Sequence, residues 1–253
     1  MEIISTEDKS ISKWFGSNLA QLLGEKIVMV YPQFDAQKYI QIINSKCVGL
    51  SYTNRIELHA QILHQFLPEN YPKAIKVLTS ILGEENPNET GMFKNYYWIM
   101  PIGKFVENYG LEDFEISIKA IEEITKRNTG EYAIRPFIRK YPKQTMEIMQ
   151  NWSLSKNFHL RRLAAEGCRA KLPWATKLET FIYEPEPVFK ILENLMQDGV
   201  KFVQKSVANN IADYLKVNPE VGFDFIEKYK NSKNENTEWI LKHSVRNVKR
   251  SLL

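Results

Sequence analysis

Cationic side chains recur at one place in three segments of the C-terminal half. Arg162 in LRRLAAE, Lys205 in VQKSVAN and Lys242 in LKHSVR are equivalent, 43 and then 37 residues apart. Read as helices, the three segments sort their residues by face. Arg162, Glu166 and Arg169 share one side at i, i+4 and i+7. Over 201–215, Val203, Val207, Ile211, Tyr214 and Leu215 make the apolar side, with Lys205, Asn209, Asp213 and Lys216 opposite. In the last segment Leu241, Val245, Val248 and Leu252 form the expected buried stripe. Trp239, Lys242, His243, Arg246, Lys249 and Arg250 fall on the other face. Cations on successive helix faces suit a phosphate backbone, since each neutralised phosphate releases a condensed counterion. The same pattern also describes solvated faces laced by i,i+4 ion pairs worth about 0.2–0.5 kcal/mol each.

Other chemistries lack their residues. No GxxxxGK[ST], strand-borne GxGxxG, GxSxG or HExxH string occurs. His59, His64, His159 and His243 have no metal-ligand spacing, and no metal site is expected. Cys47 and Cys168 are too few for a disulfide framework or a thiolate metal site, and neither has a convincing nucleophile setting. An enzyme built from this chain would work with carboxylates, aromatics and water.

The elements that position these residues read as helices almost throughout. FEISIKAIEEIT (114–125) spaces Phe114, Ile118, Ile121 and Ile124 helically, and YPKAIKVLTSIL (71–82) does so with Ala74, Ile75, Leu78 and Leu82. Pro72 suits a first turn. Breakers at Pro68, Gly83, Pro87, Gly110, Pro142, Pro185 and Pro219 punctuate the chain, and alternating strand patterns are hard to find. The repeat of about 40 residues, with second helices expected at 187–196 and 219–229, is that of HEAT-type pairs. The expectation is an all-α, HEAT-like helical-repeat solenoid, an α-α superhelix with a concave basic groove. Tyr96, Tyr97 and Trp98 read as core.

At 253 residues with 43% apolar content, the chain can bury a sizeable core. It lacks an apolar run long enough for a membrane span, and MEIISTEDKS has no basic n-region of a signal peptide. A soluble, cytoplasmic protein is expected. The net charge of +4 conceals a split. Residues 1–130 carry 13 Lys and Arg against 16 Asp and Glu, whereas residues 131–253 carry 21 against 14. The basic half is the one suited to a polyanion.

Particular strings carry more than composition. TGEYAIRPFI (129–138), RRLAAEGCRAKLPWA (161–175), KSVANNIAD (205–213) and WILKHSVR (239–246), in this order and spacing, resemble the AlkC branch of the bacterial alkylpurine DNA glycosylases related to AlkD. The likeness runs from about Tyr71 to the C-terminus. Residues 1–70 are therefore read as N-terminal helices, and 71–253 as the repeat region of a single HEAT-like domain.

The resemblance implies base excision: hydrolysis of the N-glycosidic bond of cationic N3-alkylated bases in double-stranded DNA. The family is associated with 3-methyladenine, and its AlkC branch also with 3-methylcytosine. It implies no metal, no organic cofactor and no deep base-flipping pocket, and a monomer near the nucleoid is expected. Carried over by residue, Glu131, Glu166 and Asp213 stand at the acidic catalytic positions and Trp174 at the base-contacting one. Arg162, Arg169, Lys205, Lys242 and Arg246 would contact the DNA backbone. Where family members usually read RPRLPW, this chain has Ala170 and Lys171, the latter keeping the charge without the planar fork of Arg.

N3-alkylation makes the base a cation, so it departs neutral and needs no strong general acid. What remains is an oxocarbenium-like sugar and a water nucleophile. Carboxylates stabilise the first and orient the second, and an indole face holds a cationic base. Blander roles are open for each residue: a surface ion pair for Glu166 with Arg162, a solvated acid for Asp213, a helix-start acid for Glu131, packing between repeats for Trp174. A non-catalytic HEAT-repeat protein of bent or branched DNA and a protein scaffold are the competing readings of the whole.

Overall fold

The computed structural model describes residues 10–91 and 93–247, and among these there are helices and no strands. They fall into two compact units. One comprises residues up to 86 together with 93–128; the other comprises 87–91 and residues from 129 onward. This boundary, near 128/129, differs from the division at residue 70 drawn from the family strings, because packing rather than motif content defines it. No helix among the described residues is long and apolar enough to cross a membrane.

The first unit contains α1 (Ile11–Trp14), α2 (Ser17–Val30), α3 (Ala36–Lys46), α4 (Tyr52–Phe66), α5 (Tyr71–Ser80), α6 (Phe93–Tyr96), α7 (Met100–Tyr109) and α8 (Phe114–Thr125), with a 3-10 turn over Tyr97–Ile99. Asn70 starts α5 by accepting the Lys73 N–H, and Pro72 occupies the first turn, where its missing donor costs nothing. Ala74, Ile75, Leu78, Ile118, Ile121 and Ile124 are buried as their spacing requires, with Phe114 half-buried. Tyr97 and Trp98 lie in the core, and Tyr96 is half-buried beside them.

The second unit contains α9 (Arg135–Lys140), α10 (Pro142–Ser153), α11 (Phe158–Gly167), α12 (Glu179–Tyr183), α13 (Glu186–Leu195), α14 (Lys201–Val217), α15 (Pro219–Tyr229) and α16 (Glu235–Ser244). Helices α11, α14 and α16 pack side by side, with α10 and α13 against α11 and α15 against α14. The expected partners at 187–196 and 219–229 are thus α13 and α15.

Helix α14 explains how this row forms. It carries no Gly or Pro from Lys201 to Val217. Asp198 Oδ1 accepts the Val200 N–H just ahead of it, and Asn218, before Pro219, is pushed out of the helical region and ends it. Val203, Val207, Ile211, Tyr214 and Leu215 are all buried, each worth roughly 1.5–3 kcal/mol as an apolar side chain removed from water.

Helix α16 corrects the pattern read from sequence. Asn234 caps it through the Asn236 and Thr237 N–H groups, and Thr237 Oγ1 donates to Met196 O at 2.9 Å. Those anchors bury Thr237, Ile240 and Ser244, leaving Leu241 and Val245 half-buried. Val248, Lys249, Arg250 and Leu252 lie outside the described residues.

Candidate functional site

Helix α11 is set against the segment that carries Glu131. At Gly167 an added Cβ would stand 2.7 Å from Ile134 Cγ2, so the close approach admits no side chain. Glu131 lies in a turn before α9, where Ile134 N–H bonds Gly130 O at 3.0 Å. Its carboxylate does not serve as a helix-start acid. It accepts from the Thr129 hydroxyl at 3.0 Å and pairs with Arg162 Nη1.

From there an alternating chain of charges crosses the inner row. Arg162 also donates to Thr129 Oγ1 at 2.9 Å and, through Nε, to Ser206 Oγ on α14 at 3.2 Å, with the Phe202 ring 5.1 Å away. Its Nη2 stands 3.7 Å from Glu166 Oε1. Glu166 Oε1 accepts from Arg169 Nη1 at 2.6 Å, and Arg169 Nε donates to Asp213 Oδ2 at 2.8 Å. Glu131, Arg162, Glu166, Arg169 and Asp213 therefore alternate in sign, with one more acid than base.

The row is largely inaccessible. Glu166 and Asp213 are each 5% exposed and Arg169 8%. That revises two expectations. Asp213 is buried rather than on an open polar face, and Glu166 is not merely half of a surface pair. Arg162 and Arg169, expected among phosphate contacts, turn inward, because the carboxylates on either side of them would otherwise be buried without a counter-charge.

Burial and charge push the two innermost acids apart. Burial by itself raises the Glu166 carboxyl, but Arg162 and Arg169 outweigh it and hold Glu166 below the usual carboxylate range. At Asp213 burial prevails, and its pKa stays raised although Arg169 opposes the shift. Its Oδ1 has no protein partner among the described residues. Acids whose environments separate their pKa values are candidates for distinct acid–base roles. The Cys168 thiol, by contrast, is pushed up to about 12 by burial, which makes it an inert nucleophile at neutral pH.

An open cleft of about 450 Å³ joins Asp213 to Trp174, with Arg169, Lys171, Lys177 and Lys216 also along its wall. Trp174 is 86% exposed, so it does not pack between repeats. Its φ is 58°, and Ala175 N–H bonds Leu172 O at 3.3 Å across Pro173-Trp174. Since Pro173 fixes its own φ near −65°, this is a type II turn, whose third position normally takes Gly. A bulky aromatic held there is backbone strain beside a cleft. Glu131 and Glu166 do not line this cleft.

The remaining cations stay outside. Lys205, Lys242 and Arg246 are not buried, and Arg246 Nη2 donates to Asn209 Oδ1 at 2.9 Å. Lys201 Nζ sits 3.7 Å over the Trp239 ring, and His243 stacks on that ring at 4.5 Å. No three His, Cys, Asp or Glu side chains converge as metal ligands among the described residues.

Sequence reasoning passed over Thr129, Ser206 and Arg135. Thr129 and Ser206 each lie within a quoted string, and their hydroxyls complete the coordination of Arg162. Arg135 ties the loop after α11 to α9.

Residues 101–248 match the family described as DNA alkylation repair enzyme. The chain is 34% identical over 219 residues to the uncharacterized protein YhaZ of Bacillus subtilis, covering 86% of this chain and 58% of that relative. It superposes with a TM-score of 0.83 on Pseudomonas fluorescens alkylpurine DNA glycosylase AlkC bound to DNA containing an abasic site analog. That match has 32% identity and covers 94% of this chain and 64% of the other. The chain thus spans about six-tenths of the length of each of these relatives.

Proposed function

The chain belongs to the DNA alkylation repair enzyme family, and from that premise we propose that it is a DNA glycosylase. It hydrolyses the N-glycosidic bond of cationic N3-alkylated bases, 3-methyladenine first and 3-methylcytosine second, in double-stranded DNA. The observation that carries this reading is the chain from Glu131 to Asp213, three acids held by two arginines, ending at a cleft with an exposed indole.

Asp213 brings the row's negative charge to the cleft wall, where a largely buried carboxylate would stabilise an oxocarbenium-like sugar with little screening by water. Asp213, with a raised pKa and one uncommitted oxygen, orients and deprotonates the water. Arg162 and Arg169 hold the carboxylates in place, and Glu166 in its charged form, rather than touching phosphate. Trp174 offers its face to the cationic base, an attraction of about 1–2 kcal/mol. Lys205, Lys242 and Arg246 hold the DNA backbone from outside the acid row. The reaction draws on no metal or organic cofactor, and the enzyme works as a monomer in the cytoplasm.

The test is base release from methylated duplex DNA by wild type and by Asp213→Ala side by side. Release of 3-methyladenine well above the spontaneous rate, and its loss in the variant, is the expected result. A wild-type rate equal to the spontaneous one overturns the reading.

A further inference from the structure

Arg135 has an unusual environment for a guanidinium. It is 2% exposed, the largest of the fully buried side chains, and it pairs with no carboxylate among the described residues. Nη1 donates to Gly167 O at 3.0 Å and Arg169 O at 2.9 Å, and Nη2 donates to Thr176 O at 2.6 Å. Nε is buried without a partner. Burial pulls its pKa down to about 10, with Arg139 adding to the effect. A buried cation without a counter-ion is costly, so its three carbonyl partners invite a functional account.

Those carbonyls flank one loop. Gly167 and Arg169 stand where the chain leaves α11, and Thr176 stands where it returns. Between them lies the turn that holds Trp174 at positive φ. Few other ties close the loop: Leu178 N–H bonds Ala170 O at 3.1 Å, and Arg139 donates to Thr176 O at 2.8 Å and to the Thr176 hydroxyl. The planar fork of Arg spans both ends of the loop at fixed angles, which a lysine ammonium cannot reproduce. Arg135 also stands four residues after Glu131, so one short segment carries an acid of the row and the brace for the indole.

We propose that Arg135 is a positioning residue that cross-braces the 168–178 loop, holding the strained Trp174 turn over the cleft and the Arg169 main chain in register with Asp213. This role rests on the glycosylase reading for its effect on turnover, whereas the bracing itself does not.

The experiment uses the full chain as wild type, Arg135→Lys, Arg135→Gln, Trp174→Ala and the double variant Arg135→Lys/Trp174→Ala. One arm measures trypsin cleavage after Lys171 and Lys177, both exposed in the loop. The other measures single-turnover release of 3-methyladenine from methylated duplex at saturating enzyme. Arg135→Lys should speed loop cleavage at least about tenfold over cleavage elsewhere. It should slow release about 10- to 100-fold, the scale of an ångström-sized misplacement. In the Trp174→Ala background the same change should cost no more than about threefold, because brace and indole act as one unit. Losses that multiply independently, or loop cleavage no faster than in wild type, overturn the proposal. Should Arg135→Lys fail to fold, Arg135→Gln carries the test, since it too removes the fork to the Gly167, Arg169 and Thr176 carbonyls, and loop cleavage no faster than in wild type overturns the proposal equally. If wild type releases no base, the glycosylase reading falls while the cleavage arm still decides the brace.

Discussion

Arg169 meets Asp213 through a single pair of atoms, Nε to Oδ2 at 2.8 Å, so the arginine fixes the carboxylate by one oxygen only. Arg169 spends a second nitrogen on Glu166, and this division explains how two neighbouring acids acquire different properties from one cation. Glu166, between two guanidinium groups, is locked in its charged form. Asp213 keeps a pKa raised by burial, against the pull of Arg169.

On the glycosylase reading, the pH dependence of base release should belong to Asp213. Its ionised form is the active one, so the rate should rise with pH through an apparent pKa above the ordinary aspartate value of 3.8. Asp213→Asn should lower single-turnover release by roughly 10²–10⁴-fold, leave DNA affinity within a few fold, and flatten this acid limb. A variant that keeps the limb would assign it to another group.

Removing the shared cation should be felt in stability. Arg169→Met strands the buried Asp213 carboxylate and leaves Glu166 with only the longer pair to Arg162, a loss of about 3–5 kcal/mol at neutral pH. Glu166 is depressed in the fold, so its contribution is present above the unfolded carboxylate value of 4.5 and disappears as pH falls through the folded value. Urea unfolding at pH 7 and at pH 4 should accordingly show a large gap between wild type and variant that narrows on acidification. A gap independent of pH would mean that poorer packing, not a missing charge pair, causes it.

The helices and their pairing were legible in the sequence because periodicity of apolar residues reports burial directly. Val203, Val207, Ile211, Tyr214 and Leu215 are buried as projected, and α13 and α15 occur where a second helix is needed. The inward turn of Arg162 and Arg169 was not legible. A helical projection separates polar from apolar faces, but it cannot tell a polar face bathed in water from one pressed against the next helix. Ser206 and Asp213 on α14 make that difference, 44 residues from Arg162 and Arg169 respectively. The shift of the α16 stripe has a similar origin, since the bond from Thr237 to the Met196 carbonyl outweighs the weak apolar pattern there. Arg135 was invisible because its partners are main-chain carbonyls, which leave no trace in residue types.

Salt dependence should separate the outer cations from the inner ones. Lys205→Ala and Lys242→Ala each remove an outward-facing charge. Each should lower the slope of log K against log salt by about 1 for every phosphate no longer neutralised, with little change in the saturating rate. Arg162→Met should do the reverse, leaving the slope intact and slowing release, because its guanidinium is committed to Glu131, Thr129 and Ser206. Titrations of duplex binding across a range of about 50 to 200 mM salt give the comparison. A lowered slope in Arg162→Met would return that residue to the set that grips phosphate.

Trp174 allows stability and function to be set against each other at one residue. A left-handed conformation costs a non-glycine residue roughly 1–2 kcal/mol, and an 86% exposed indole recovers little of that by packing. Trp174→Gly removes the strain but makes the unfolded chain freer by about 0.5–1 kcal/mol. The net expectation is a protein as stable as wild type or more stable by up to ~1.5 kcal/mol, read from urea midpoints. The same change deletes the indole proposed to hold the cationic base, so binding of duplex containing a cationic lesion should weaken about 5- to 30-fold relative to undamaged duplex. Trp174→Phe should retain part of that preference while keeping the strain. If Trp174→Gly instead proves clearly less stable than wild type, the indole is a structural element of the loop, and the recognition of a cationic base must be sought elsewhere along the cleft.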